Sequence, residues 1–105
     1  MKIELLWFED CPNHHVAERM VSQILAELEL DVAIERIQIS DVDAGSRFKF
    51  PGSPTIRIDG TDVEPDWQPP DDFTPRCRLY MTKSGLRGLP DRSWVEAAIK
   101  TAMDL

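Results

Sequence analysis

A chain of 105 residues, 42% hydrophobic and 30% charged, is sized for one domain (residues 1–105) with a modest core of its own. Its net charge of −7 argues against the basic face that nucleic acid or an anionic membrane requires, and no apolar run is long enough to cross a bilayer. Two cysteines 66 residues apart form neither a disulfide framework nor a zinc-finger spacing, and in a reducing compartment such a pair is catalytic, redox-active or inert sooner than a staple.

The N-terminal MKIELLWFED carries Glu4 inside its apolar run and lacks a small-residue cleavage site, so it does not read as a signal peptide and a cytoplasmic location is expected. Within it, Ile3–Phe8 is short and nearly continuously apolar, which suits a central strand covered on both faces. Pro12 suits the first turn of a helix, where its missing N–H costs nothing. Val16, Ala17, Met20, Val21, Ile24, Leu25 and Leu28 recur at three- and four-residue spacing, predicting a helix from Asn13 to about Leu30 with one buried stripe. Val32–Ile39 alternates and is β-branched, a second strand. Ser40 or Asp41 can cap a short helix from Val42 to about Phe48.

Phe50-Pro51-Gly52-Ser53-Pro54 then leads into Thr55–Ile58, Asp59-Gly60 and Thr61–Glu64, and Asp-Gly between two alternating segments signals a hairpin. Glu64–Pro75 holds four prolines and few apolar anchors and reads as a loop. Cys77–Met81 reads as a short strand or extended segment, Gly85 and Gly88 mark a turn, and Asp91 or Ser93 caps a last helix reaching Met103. The order β-α-β-α-β-β-α predicts an α/β fold, a three-layer sandwich whose mixed sheet has a parallel start and an antiparallel edge.

Cys11 lies where the first strand ends and the first long helix begins. A thiolate there faces unpaired backbone N–H groups and the positive end of the helix dipole, which lowers its pKa below the free value of about 8.5. Glu9 and Asp10 oppose a further negative charge. His14, at i+3, faces Cys11 and either adds positive charge or accepts the thiol proton, whereas His15 points about 100° away. A zinc site needs three or four ligands and this motif supplies two, so no metal is assigned. The plain alternatives are a half-buried inert Cys11 and a solvated His14. Trp7 and Trp94 fit core positions. Arg76, Arg78 and Arg87 read as solvated residues.

Cys-Pro-Asn-His at 11–14, Ser53-Pro54-Thr55 before the hairpin, and Ile58-Asp59-Gly60 between two strands resemble the thioredoxin superfamily, particularly its small glutaredoxin-like members. The resemblance covers residues 1–64 and, loosely, the last helix; residues 65–90 look like an addition. It implies a thioredoxin-like sandwich, a cis bond at Ser53-Pro54, and a monothiol site, because His14 stands where the family has its second cysteine and the motif cannot resolve its own mixed disulfide. Cys11 would be the nucleophile in thiol–disulfide exchange or a related thiol transfer, and His14 would tune it. Pro12, Ser53, Pro54 and Thr55 would shape the substrate groove, with Trp67 over it. Cys77 is expected as a small core residue, with a resolving thiol as its second reading. The implied substrate is a thiol or disulfide, on a protein or a small molecule; glutathione is a candidate co-substrate and no cofactor is implied. The other class is a non-catalytic binding module that keeps the fold and uses the groove for a protein partner or a soft metal ion.

Overall fold

The computed structural model describes residues 1–104. Strand β1 (Ile3–Trp7) is the centre of a four-stranded mixed sheet of order β2-β1-β3-β4. It pairs in parallel with β2 (Ile34–Gln38) and antiparallel with β3 (Thr55–Ile58), which returns through Asp59-Gly60 to β4 (Thr61–Asp62). Both turn residues take positive φ, 51° for Asp59 and 83° for Gly60, which is the chemistry that makes Asp-Gly a hairpin former. The nearly continuous apolar character of β1 has its cause in this position. Ile3 and Leu5 join the core beneath α1 (Asn13–Glu27) and α3 (Arg92–Met103), while Leu6 joins Ile39 and Phe50 in a second core that includes Ala44 and Phe48 of α2 (Val42–Phe48). Helices thus lie on both faces of the sheet. No helix among the described residues is long and apolar enough to cross a membrane.

Local chemistry sets the helix ends. Asp41 accepts from the Ala44 N–H at 2.8 Å and Asp91 from the Ser93 N–H at 2.9 Å, two side-chain caps on orphan donors. The first helix stops at Glu27, a turn short of the expected Leu30. Glu29 adopts φ 57°, and the Leu30 N–H turns back to the Leu25 carbonyl at 2.9 Å, which closes the helix before its apolar pattern runs out.

Residues 64–79 form a strap without regular secondary structure, followed by a separate two-stranded hairpin, β5 (Tyr80–Thr82) and β6 (Gly85–Arg87). The strand expected over Cys77–Met81 therefore starts three residues later and gains a partner beyond Lys83-Ser84. The strap crosses the molecule at two glycines. A Cβ on Gly45 of α2 would lie 2.1 Å from the Phe73 carbonyl oxygen, and one on Gly52 would lie 2.7 Å from the Arg78 Cβ. Beyond the hairpin, a Cβ on Gly88 would meet the Asn13 side chain at 2.2 Å, so the same segment also rests on the first residue of α1.

Candidate functional site

The turn Phe8–Cys11, closed by a 3.0 Å bond from the Cys11 N–H to the Phe8 carbonyl, delivers Cys11 to the start of α1, with Pro12 as the residue before the first helical turn. Nothing caps that terminus through a side chain and no acidic residue occupies its first turn. Its N–H groups therefore remain directed at whatever lies beside Cys11. Cys11 is almost fully buried, at 1% exposure.

Cys11 is disulfide-bonded to Cys77, with the two Cα atoms 5.6 Å apart. The sequence expectation that Cys77 packs as a small core residue is corrected: the residue is exposed. The reason is alternation along an extended segment. Arg78 and Tyr80 are buried, while Cys77, Leu79 and Met81 between them are exposed, Cys77 with its sulfur bonded to Cys11.

Ser53 ties the two cysteines into one unit. Its N–H donates to the Arg76 carbonyl at 2.8 Å, and its carbonyl accepts from the Arg78 N–H at 2.9 Å, so Cys77 pairs with Ser53 as a one-residue parallel bridge. The Ser53 carbonyl also lies 3.5 Å from Cys11 Sγ. In the disulfide that sulfur carries no proton, so this is a contact; a reduced Cys11 thiol would have an acceptor in place. The backbone edge of Ser53, which the resemblance assigns to the substrate groove, is thus occupied by the protein's own strap. Among the described residues the buried Ser53 hydroxyl has no hydrogen-bond partner. The Ser53–Pro54 peptide bond is cis. Thr55, fully buried, donates from its hydroxyl to the Gly52 carbonyl at 2.6 Å.

Arg78 anchors the strap, and its reading as a solvated residue is likewise corrected. It is buried, donates to both carboxylate oxygens of Asp62 at 2.7 and 3.1 Å and to Thr55 Oγ1 at 3.0 Å, and lies over the Tyr80 ring. Burial works against its charge, but Tyr80, Asp62 and Glu64 more than offset this and its pKa is raised. Burial likewise pushes the Tyr80 hydroxyl above its ordinary pKa, and that hydroxyl donates to the Pro54 carbonyl. The residue pattern carried one signal for this arrangement: Arg78 shares an alternation face with Tyr80.

His14 is buried with its Nδ1 2.9 Å from the Arg36 guanidinium. Arginine only donates, so Nδ1 accepts and the proton of the neutral ring sits on Nε2. The ring stacks against Trp7 and His15 at centroid distances of 4.4 and 4.0 Å. Burial, then the neighbouring His15 and Arg36, lower its pKa, so His14 stays neutral near pH 7 and brings no positive charge to the cysteine. Trp67 stands 5.9 Å from the Arg78 guanidinium and, with Pro51, Arg76, Cys77 and Leu79, lines a cavity of about 360 Å³ beside the disulfide. Pro12 is exposed next to Cys11. Among the described residues no group of three or more His, Cys, Asp or Glu is placed to hold a metal ion.

Comparison of the chain with protein-family models, with curated proteins and with solved structures returned no significant match.

Proposed function

We propose that this protein carries out thiol–disulfide exchange through the Cys11–Cys77 pair, on a thioredoxin-like arrangement of the sheet and three helices. The observation that carries the reading is the position of the bond: it joins the residue at the uncapped start of a 15-residue helix to an exposed cysteine on a separately anchored strap. The helix terminus favours a Cys11 thiolate, which makes this cysteine a good leaving group when the disulfide is attacked. The strap keeps Cys77 near it by bonds that do not involve sulfur. The site then works as a dithiol/disulfide couple, with the second thiol drawn from the strap and not from the helix motif. In a cytoplasmic setting the pair would rest largely as the dithiol and oxidise transiently in turnover, with a thiol or disulfide as substrate and glutathione as candidate co-substrate. No resident cofactor or metal enters the proposal.

The second reading is a binding module in which the bond is a staple, and one observation favours it: the Ser53 edge is already filled by the strap. Equilibration in glutathione redox buffers, followed by alkylation and mass measurement, separates the two. Exchange predicts one two-electron transition that involves both cysteines and disappears in Cys11→Ser. A disulfide that persists in millimolar glutathione, together with a reduced form that does not accelerate exchange between a dithiol and a small disulfide, would overturn it.

A further inference from the structure

We infer that Cys77, and not the helix cysteine, is the sulfur that exchanges with substrate, and that its substrate is a low-molecular-weight thiol entering the cavity beside the strap. The inference rests on the exchange reading above and assigns its two sulfurs opposite roles from those the sequence motif implies. Cys11 is 1% exposed, whereas Cys77 is exposed and lines the cavity of about 360 Å³ that the strap encloses with Pro51. That volume is at the small end of the roughly 300–1,000 Å³ of ordinary ligand pockets, which fits a small thiol better than a folded protein surface. Its walls offer Trp67, Pro51 and the 66% exposed Leu79 to an apolar stem, beside Glu64 and an Arg76 that the strap itself holds through Asp72 and Thr74.

The electron bookkeeping follows the same direction. A substrate thiolate attacks Cys77 Sγ, the Cys77–Cys11 bond breaks, and its electron pair departs on Cys11 as a thiolate. The thiolate forms at an uncapped helix N-terminus. A second substrate thiolate then attacks the substrate sulfur of the mixed disulfide and releases the Cys77 thiolate. Two substrate thiols become one disulfide, and the protein gains the two electrons and, after protonation, the two protons as a dithiol. Throughout, the two Ser53 backbone bonds and the Arg78–Asp62 pair hold Cys77 in place, so in the reverse direction Cys11 resolves an adduct on Cys77 within the molecule.

The test is to mix the oxidised full-length protein with reduced glutathione, quench in acid at successive times and locate the adduct by peptide mass mapping. The early adduct is expected on Cys77, in excess over Cys11 by about tenfold or more because the lower-pKa thiol is the better leaving group. Leu79→Trp, which narrows the cavity, should slow adduct formation several-fold, while Leu86→Trp on the outer hairpin should not. An adduct that appears first on Cys11 overturns the inference and leaves the exchange reading standing. No adduct on either cysteine overturns both. Equal rates in Leu79→Trp and Leu86→Trp overturn the cavity as the route.

Discussion

Arg78 and Asp62 form a two-point ion pair with side chains only 5% and 2% exposed, and this pair fastens the strap to the edge strand β4. The partners are 16 residues apart in sequence, and the contact sets the path of every residue between them, Trp67 and Cys77 included. A buried ion pair contributes little relative to an apolar replacement of both partners, but removing one partner strands the other as an uncompensated charge. Asp62→Ala leaves Arg78 with Glu64 alone, at 3.8 Å, and should lower the unfolding free energy by about 3 kcal/mol, the low end for breaking a buried pair, measured by urea denaturation. Arg78→Met with Asp62→Leu in one chain should recover much of that loss. A single-variant loss below about 1 kcal/mol would mean that the pair is solvated in practice, as surface pairs are.

Glycines at the crossing points give a second prediction. Gly45→Ala places a methyl 2.1 Å from the Phe73 carbonyl oxygen, a backbone atom that cannot step aside without moving the strap. Gly52→Ala combines a 2.7 Å approach to Arg78 with φ 135°, a conformation that other residues rarely adopt. Both should cost about 1–3 kcal/mol, the usual range for overpacking. Gly60→Ala is the control: nothing lies within 4 Å, and only its φ of 83° opposes the change, worth about 1 kcal/mol. Equal midpoints for Gly45→Ala and the wild type would show that the strap does not rest on α2.

These crossings also explain how far the sequence could be read. The strand–helix–strand opening, the Asp41 cap and the Asp59-Gly60 hairpin are local features, each written within a few residues, and the mixed α/β sheet follows from them. The strap is not local. Its course depends on Gly45 and Gly52 making room, on Asp62 receiving Arg78, and on Ser53 pairing with residues more than 20 positions away. None of these partners announces itself in a window of neighbouring residues. The hairpin β5–β6 was obscured for a related reason. Its Lys83-Ser84 turn lacks an Asn-Gly or Asp-Gly signature, and Gly85, at φ 101°, reads in isolation as a simple break. Cys11 was legible because strand end, proline and helix start coincide there; its partner was not.

The orphan hydroxyl of Ser53 yields a third prediction. A buried polar group without a partner costs roughly 1–3 kcal/mol, so removing it from the oxidised protein should be neutral or stabilising. Ser53→Ala should accordingly leave the unfolding midpoint of the disulfide form unchanged or raise it. A destabilised oxidised Ser53→Ala would mean that the hydroxyl has a partner in solution.

His14 supplies the last prediction, which concerns acid stability. Burial lowers its pKa in the folded protein, with His15 and Arg36 adding to the shift and Glu18 opposing it, while the unfolded chain returns it to about 6.5. Between the depressed folded value and about 6.5 the unfolded state binds more protons than the folded one, so stability rises with pH across that window. The contribution is complete above about 6.5 and is lost as the pH falls toward the folded value. Trp7 stacks on the ring and carries no charge, so the facing charges are those of His15, Arg36 and Glu18. His14→Gln keeps an acceptor for Arg36 but cannot titrate. Urea midpoints for wild type and His14→Gln should therefore converge on acidification from pH 8 to pH 5.5, the wild type losing more than the variant. Parallel losses in the two proteins would show that the imidazole is no harder to protonate in the folded state than in the unfolded chain, and that the Arg36 contact does not hold it neutral.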